Sequence, residues 1–145
     1  EIIELNQKSI AQGGQIVELR LPGTLYIYAD EVKIGQVITN FLTNALKHTA
    51  AGQHIIIQAY RKPDEETMHF EIRDDGEGIP ESELPYVWDR YHKTSRSFSR
   101  NQLNTGLGLA IVKAILDAHD AQFGVESVVG KGSTFWFELR ETHEA

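Results

Sequence analysis

Asn40, Asn44 and Lys47 stand four and three residues apart, with His48 immediately after. On a helix that spacing brings the two carboxamides and the ammonium to one surface. A carboxamide oxygen is a hard, neutral ligand suited to Mg²⁺, which takes one or two protein oxygens beside phosphate and water. Lys47, one turn on, is a point charge for a phosphate. A second cluster, Asp74-Asp-Gly76-Glu-Gly78-Ile79, ends a β-rich run. Its carboxylate can accept a hydrogen bond from an exocyclic amine, and its glycines let the backbone approach a flat ligand closely. A third, Thr105-Gly106-Leu107-Gly108-Leu109, is read as opening a helix, where free amides and the positive dipole end attract anions. The last, Gly130-Lys-Gly132-Ser-Thr134, turns a hairpin. Each alone has an ordinary explanation: the wet face of a helix, an acidic turn, a helix cap, a tight turn. Together, in this order, they describe a site that chelates a metal, reads a base and wraps phosphates in backbone amides.

Other sites of this kind do not fit. The acidic spacing of a calcium-binding EF-hand is missing from residues 74–79. A Rossmann fingerprint needs a third spaced glycine and a parallel βαβ unit, and neither follows Gly108. No glycine precedes Lys-Ser or Lys-Thr in a Walker A pattern.

The elements that must hold these clusters can be read from periodicity. Ile2, Ile3, Leu5 and Ile10 suggest a helix over 1–12, ended by Gly13-Gly14. Residues 16–21 alternate as a strand, Pro22-Gly23 turns, and 25–29 is a second short strand. Asp30 can cap a helix over 31–49, whose Ile34, Val37, Ile38, Phe41, Leu42, Ala45 and Leu46 form an apolar half. Gln36, Asn40, Asn44 and Lys47 fall on the other half. Residues 54–60 and 68–73 form a hairpin, Pro80 starts a short helix through Trp88, and 93–105 is a polar, aperiodic stretch too long for an idle connection. A helix over 107–119 turns Leu109, Ile111, Val112, Ile115 and Leu116 inward, and 122–129 with 133–140 make the closing hairpin. The order β-β-α-β-β-α-lid-α-β-β predicts a mixed β-sheet with helices packed on one face, an α/β two-layer sandwich.

The chain has 145 residues, 41% of them apolar, a net charge of −7 and no cysteine. That length suits one domain, spanning 1–145, and lack of cysteine excludes disulfides and thiolate metal sites. The acidic balance argues against nucleic-acid binding, and no apolar run approaches a membrane span. One basic stretch, Arg90, Lys93, Arg96 and Arg100, lies beside the third cluster and suits a small anion.

With an asparagine box, an aspartate-glycine box, an aromatic box (Val87-Trp88-Asp89-Arg90-Tyr91), Gly-Leu-Gly-Leu and Gly-Lys-Gly-Ser-Thr in sequence, the chain resembles the catalytic and ATP-binding domain of bacterial sensor histidine kinases. These belong to the superfamily of DNA gyrase B, MutL and the heat-shock chaperone ATPases. The resemblance covers nearly the whole chain and implies a Bergerat-type fold with an ATP lid over about 93–105. It implies that Asn44 ligates Mg²⁺, that Asn40 supports metal and phosphates, and that Lys47 and Lys93 contact phosphate. His48 would lie along the nucleotide, Asp74 would bind the adenine amine, and Gly76, Gly78 and Ile79 would shape that wall. Thr105, Gly106, Leu107, Gly108 and Leu109 would wrap the phosphates, and Thr134 would complete the adenine pocket. Trp88, Asp75, Asn104 and Asp120-Ala121 depart from the usual residues, but none removes a principal ligand, and Asp120 can still take a left-handed turn.

The same resemblance bears on mechanism. Hydrolytic relatives place a glutamate four residues before the metal asparagine as base for water; here that position is Asn40, which cannot take a proton. Phosphoryl transfer to another side chain is therefore expected, with Asn40, Lys47 and Lys93 as the catalytic set and ATP and Mg²⁺ as cofactors. The acceptor would be a histidine on a separate dimerisation domain of the same protein, expected upstream, since none of His48, His54, His69, His92, His119 or His143 has the setting of an acceptor. A response regulator would follow in a two-component pathway. This domain is expected to be cytoplasmic, part of a membrane-anchored sensor, monomeric by itself, without direct membrane contact and unable to autophosphorylate alone. Exposed apolar residues near Trp88, Tyr91 and Phe98 are candidates for docking on the acceptor helices, with a core role for Trp88 as the alternative. An anti-sigma-factor-type serine kinase and a nucleotide-binding pseudokinase module are the other functional classes.

Overall fold

The computed structural model describes residues 14–20, 30–63, 66–89 and 102–140, with side chains of the last stretch from 108 onward. The helix expected over 1–12, the strand over 25–29, and Arg90, Tyr91, Lys93 and Phe98 lie outside these residues. Five strands form one mixed sheet in the order β1-β2-β3-β5-β4. They are β1 (Ile16–Arg20), β2 (His54–Arg61), β3 (Thr67–Asp74), β4 (Gln122–Val128) and β5 (Gly132–Arg140). β1 runs parallel to β2, and the other neighbours are antiparallel. Helices α1 (Glu31–Lys47) and α2 (Gln102–Ala118) cover one face.

Period-two alternation decides that face. Met68, Phe70 and Ile72 of β3 and Phe135, Phe137 and Leu139 of β5 are buried and stand opposite one another in register. Onto them α1 lays Ile34, Val37, Phe41, Leu42 and Ala45, and α2 lays Leu109, Val112, Ile115 and Leu116. Phe41 sits at the centre, its ring centroid 5.5 Å from Phe135, 6.3 Å from Phe137 and 6.4 Å from Trp88. Trp88 also meets Phe123 and Phe135 edge-on. It therefore packs against the core rather than standing free for docking.

Asp30 caps α1 as read, its Oδ1 accepting the Lys33 N–H at 3.0 Å. The helix stops at Lys47, two residues short of Thr49, because Thr49 Oγ1 turns back to donate to the Ala45 carbonyl and Gln15 Nε2 donates to the Leu46 carbonyl. Gln15 thus meets the Leu46 carbonyl in the last turn, and Thr49 Oγ1 shares the Ala45 carbonyl with the His48 N–H. At its far end α1 is clasped to α2: His119 Nδ1 lies 2.8 Å from the Ile115 carbonyl while Nε2 accepts the Asp30 N–H at 3.1 Å. Asp120, φ 53°, makes the left-handed turn that ends α2.

Three expectations are corrected. Residues 80–88 form turns and one short 3₁₀ segment, Leu84–Tyr86; Pro85 near its start has no N–H to continue a helix begun at Pro80. Ile111 is exposed rather than inward, the neighbours Leu109, Val112, Ile115 and Leu116 having filled the inward stripe. α2 begins at Gln102 rather than Leu107, since nothing in Gln102-Leu103-Asn104-Thr105 breaks a helix; the last residues of the expected lid are therefore helical.

Candidate nucleotide site

The site lies where the core face runs out of apolar residues. Along β3, Met68, Phe70 and Ile72 are followed on the same face by Asp74, which is only 4% exposed. A carboxylate thus occupies the last place in a hydrophobic file. The Gly76 N–H donates to its Oδ1 at 3.0 Å. Burial raises the Asp74 pKa; the bonds from the Gly76 and Ser133 amides and the nearby His48 partly offset that, and Asp75 adds to it.

The glycines are required by close contacts. A Cβ on Gly76 would stand 2.1 Å from the His48 carbonyl oxygen, so the turn after β3 lies directly against the end of α1. Gly78 has φ +78° and a Cβ there would meet the Val128 carbonyl at 2.3 Å. Gly132, φ +120°, is pressed equally tightly on the Asp74 backbone. The turn is thereby pinned between the end of α1 and the β4–β5 hairpin, with the Gly130 N–H donating to the Glu77 carbonyl. Ile79 is buried beside it.

From α1 come the other polar groups. Asn44, read as lying on the wet half, is 5% exposed. No described residue hydrogen-bonds its carboxamide. Asn40 is half-buried, its Nδ2 donating to the Gly108 carbonyl on α2 at 3.4 Å. Lys47 closes the helix, its pKa lowered by burial. His48 is the C-cap, with Nδ1 3.5 Å from Glu77 Oε1. Lys47, His48, Gly76, Glu77 and Gly130 line a cleft of about 500 Å³.

Two placements differ from the sequence reading. Thr134 is paired with Arg73 and lies on the opposite face of the sheet from Asp74. Ser133 is the residue opposite Asp74, 6% exposed and on its face. It was legible in principle, because inward Phe135 and Phe137 make Ser133 inward and Thr134 outward. The second concerns the phosphate cluster. Since α2 starts at Gln102, Thr105, Gly106, Leu107, Gly108 and Leu109 lie within its first turns rather than at its opening. Leu109 is a core residue, 8% exposed. Lys93 lies outside the described residues.

The residues present fit a bound cation. A hard ion takes neutral carboxamide oxygens, and the buried Asn44 carboxamide, which no described residue hydrogen-bonds, has the right chemistry. Among the described residues no group of three or more His, Cys, Asp or Glu could hold a metal.

A two-layer α/β domain with a buried carboxylate at a glycine-pinned turn, facing a helix of asparagines, defines a nucleotide-binding class outside the P-loop and Rossmann types. Residues 29–143 match the family described as histidine kinase-, DNA gyrase B- and HSP90-like ATPase, and the chain belongs to it. It is 36% identical over 115 residues to sensor histidine kinase WalK of Bacillus subtilis, covering 79% of this chain and 19% of that protein. Sensor histidine kinase AruS of Pseudomonas aeruginosa is 42% identical over 106 residues, covering 72% of this chain and 11% of that protein. The chain thus spans a small part of these curated relatives. Among solved structures, the mycobacterial sensor histidine kinase MprB superposes with a TM-score of 0.81 at 24% identity, over 97% of this chain and 93% of that one. Full-length ShkA, solved in complex with AMPPNP, gives 0.80 at 27% identity, over 99% of this chain and 29% of that one. The fold is that of histidine kinase catalytic domains, and the chain is a histidine-kinase-type ATPase domain.

Proposed function

We propose that this domain binds Mg-ATP and donates the terminal phosphoryl group to a histidine on a separate dimerisation domain of the same protein, as one step of two-component signalling. The observation that carries this reading is the buried Asp74 carboxylate beside Gly76, one helix end away from the buried carboxamide of Asn44. Asp74 takes the exocyclic amine of adenine, with Gly76, Gly78 and Ile79 as the wall. Bound Mg²⁺ would neutralise phosphate charge, held by Asn44. Lys47 and Lys93 stabilise the charge that develops on the transferred group, and Asn40 positions rather than accepts a proton. With no carboxylate at position 40 to activate water, transfer to a side chain is favoured over hydrolysis. The sensor-kinase names of the curated relatives and the AMPPNP-bound neighbour support the same reading. The lid over about 93–105, the upstream acceptor domain and a response regulator downstream belong to this proposal.

The test is calorimetric titration of the 145-residue chain with ADP and a non-hydrolysable ATP analogue, with and without Mg²⁺, beside Asp74→Asn. Losing one charged hydrogen bond in a buried site costs about 1.5–3 kcal/mol, so affinity for both ligands should fall by roughly 10- to 150-fold. Wild-type affinity in the variant would place the base elsewhere. Absence of binding by the folded wild type would leave a protein-interaction module.

A further inference from the structure

Ser127 is not among the residues that the nucleotide reading uses, yet its hydroxyl has the most connected position in the site. It lies on β4 opposite Ser133, which lies on β5 opposite Asp74 of β3. The three side chains form one polar row across three strands, next to the apolar row of Val125, Phe135 and Ile72. Ser127 Oγ accepts the Ile79 N–H at 2.7 Å, donates to the Gly132 carbonyl at 3.0 Å and lies 2.7 Å from Ser133 Oγ.

A hydroxyl has one proton and two lone pairs. The Gly132 carbonyl can only accept, so it takes the single proton of Ser127. The Ile79 N–H can only donate, so it takes one lone pair. The contact with Ser133 then uses the second lone pair, and Ser133 must be its donor. Ser133 is left with no proton for anything else. Its free lone pairs lie on the face that carries the Asp74 carboxylate, so Ser133 and Asp74 offer acceptors there and Ser133 offers no donor. A 6-amino purine satisfies acceptors; a 6-oxo purine sets a carbonyl lone pair against them.

We propose that Ser127 is a specificity-determining positioning residue: by consuming the Ser133 proton it fixes Ser133 as an acceptor beside Asp74 and sharpens the choice of 6-amino over 6-oxo purine nucleotides. The proposal rests on the nucleotide reading above. Ser127 acts through Ser133 and does not itself touch the ligand.

The experiment titrates Mg-ADP and Mg-IDP calorimetrically into the wild-type chain, Ser127→Ala, Ser127→Thr, Ser133→Ala and the double alanine variant, with melting of each apo protein. Ser127→Ala frees the Ser133 proton, which can then rotate to meet a 6-oxo group. The ADP-to-IDP affinity ratio should fall about tenfold, the size of one neutral hydrogen bond. Ser133→Ala should lower the ratio by a similar factor, and adding Ser127→Ala to it should change the ratio no further. Ser127→Thr, which keeps the hydroxyl, should keep the ratio. An equal loss of both ligands in Ser127→Ala, or additive effects in the double variant, would reduce Ser127 to a structural role and overturn the proposal. Should Ser127→Ala not fold, an unchanged ratio in Ser133→Ala does the same. Failure of the wild type to bind ADP would instead remove the nucleotide reading itself.

Discussion

Asp74 is held where an ionised carboxylate is least comfortable. Burial is the largest influence on it and raises its pKa, so the folded state holds its proton more tightly than the unfolded chain. Stability from this group is greatest below the ordinary carboxylate range and falls as pH rises through the raised pKa. Above that raised pKa the cost is present in full. Asp74→Asn, which removes the charge and keeps an oxygen for the Gly76 N–H, should therefore melt at a higher temperature than wild type without ligand, while losing the adenine nucleotide. Thermal unfolding with and without ADP checks both signs; a lower apo melting point would mean that the carboxylate is a net stabiliser. Asp74, Gly76 and Gly78 stood out in the sequence through their order with the other clusters rather than alone, and the structure sets them in one tightly packed turn. Asn44 was read from helical spacing as lying on the wet half of α1, and the structure buries it: spacing gives an angle on the helix, not what packs over it. Thr134 was misplaced because the motif was read by residue type, while strand parity selects Ser133.

The helices and turns meet at a few tight points, and Gly76 is one. Its Cα faces the His48 carbonyl, which belongs to backbone and cannot swing away. Gly76→Ala should force the turn off the end of α1, moving Asp74 relative to Asn44. The expected result is a loss of nucleotide affinity larger than the loss of melting temperature would suggest, read by titration and thermal unfolding together. Gly35→Ala on α1, where an added Cβ meets nothing within 4 Å, should be neutral or stabilising by up to about 1 kcal/mol. Most elements could be read from the sequence, α1 from its helical spacing and the later strands from β-rich runs bounded by turns. Boundaries could not, because they depend on contacts that no window contains. Gln15 and Thr49 stop α1, Pro85 interrupts the segment after Pro80, and the residues before Gly106 let α2 start early.

The molecule has two unlike faces. Opposite the helices, His69 lies between Tyr60 and Trp136 in a stack, with Nδ1 2.7 Å from Glu138 Oε2 and Nε2 2.9 Å from Glu71 Oε1. Lys62 adds a bond to Glu138, and Arg73 one to Glu71. Burial would raise the Glu138 pKa, but the bonds and charges of His69 and Lys62 prevail and lower it. A depressed carboxylate contributes stability above its unfolded pKa and loses it as pH falls through the folded value. Glu138→Gln should thus be less stable by about 1–2 kcal/mol at neutral pH, and the gap to wild type should close in acid. Chemical denaturation across that range decides it. Nothing in the sequence announced this cluster. His69, Glu71 and Glu138 are ordinary strand residues until pairing sets them side by side.

Among the described strands β1 is the one that joins the sheet in parallel, and it stands last in their order with most of its residues exposed. The strands that bear Asp74, Ser127 and Ser133 pair antiparallel with one another and need nothing from it. Assembly can therefore pair the strands bearing Asp74, Ser127 and Ser133 before the long crossover through α1 delivers β1, because loop closure delays non-local pairing. The same order in reverse governs breathing of the native state. Saturating nucleotide should slow amide exchange at Ile72 and Phe135, which open only with the whole, and leave Val17 to Arg20 exchanging as before.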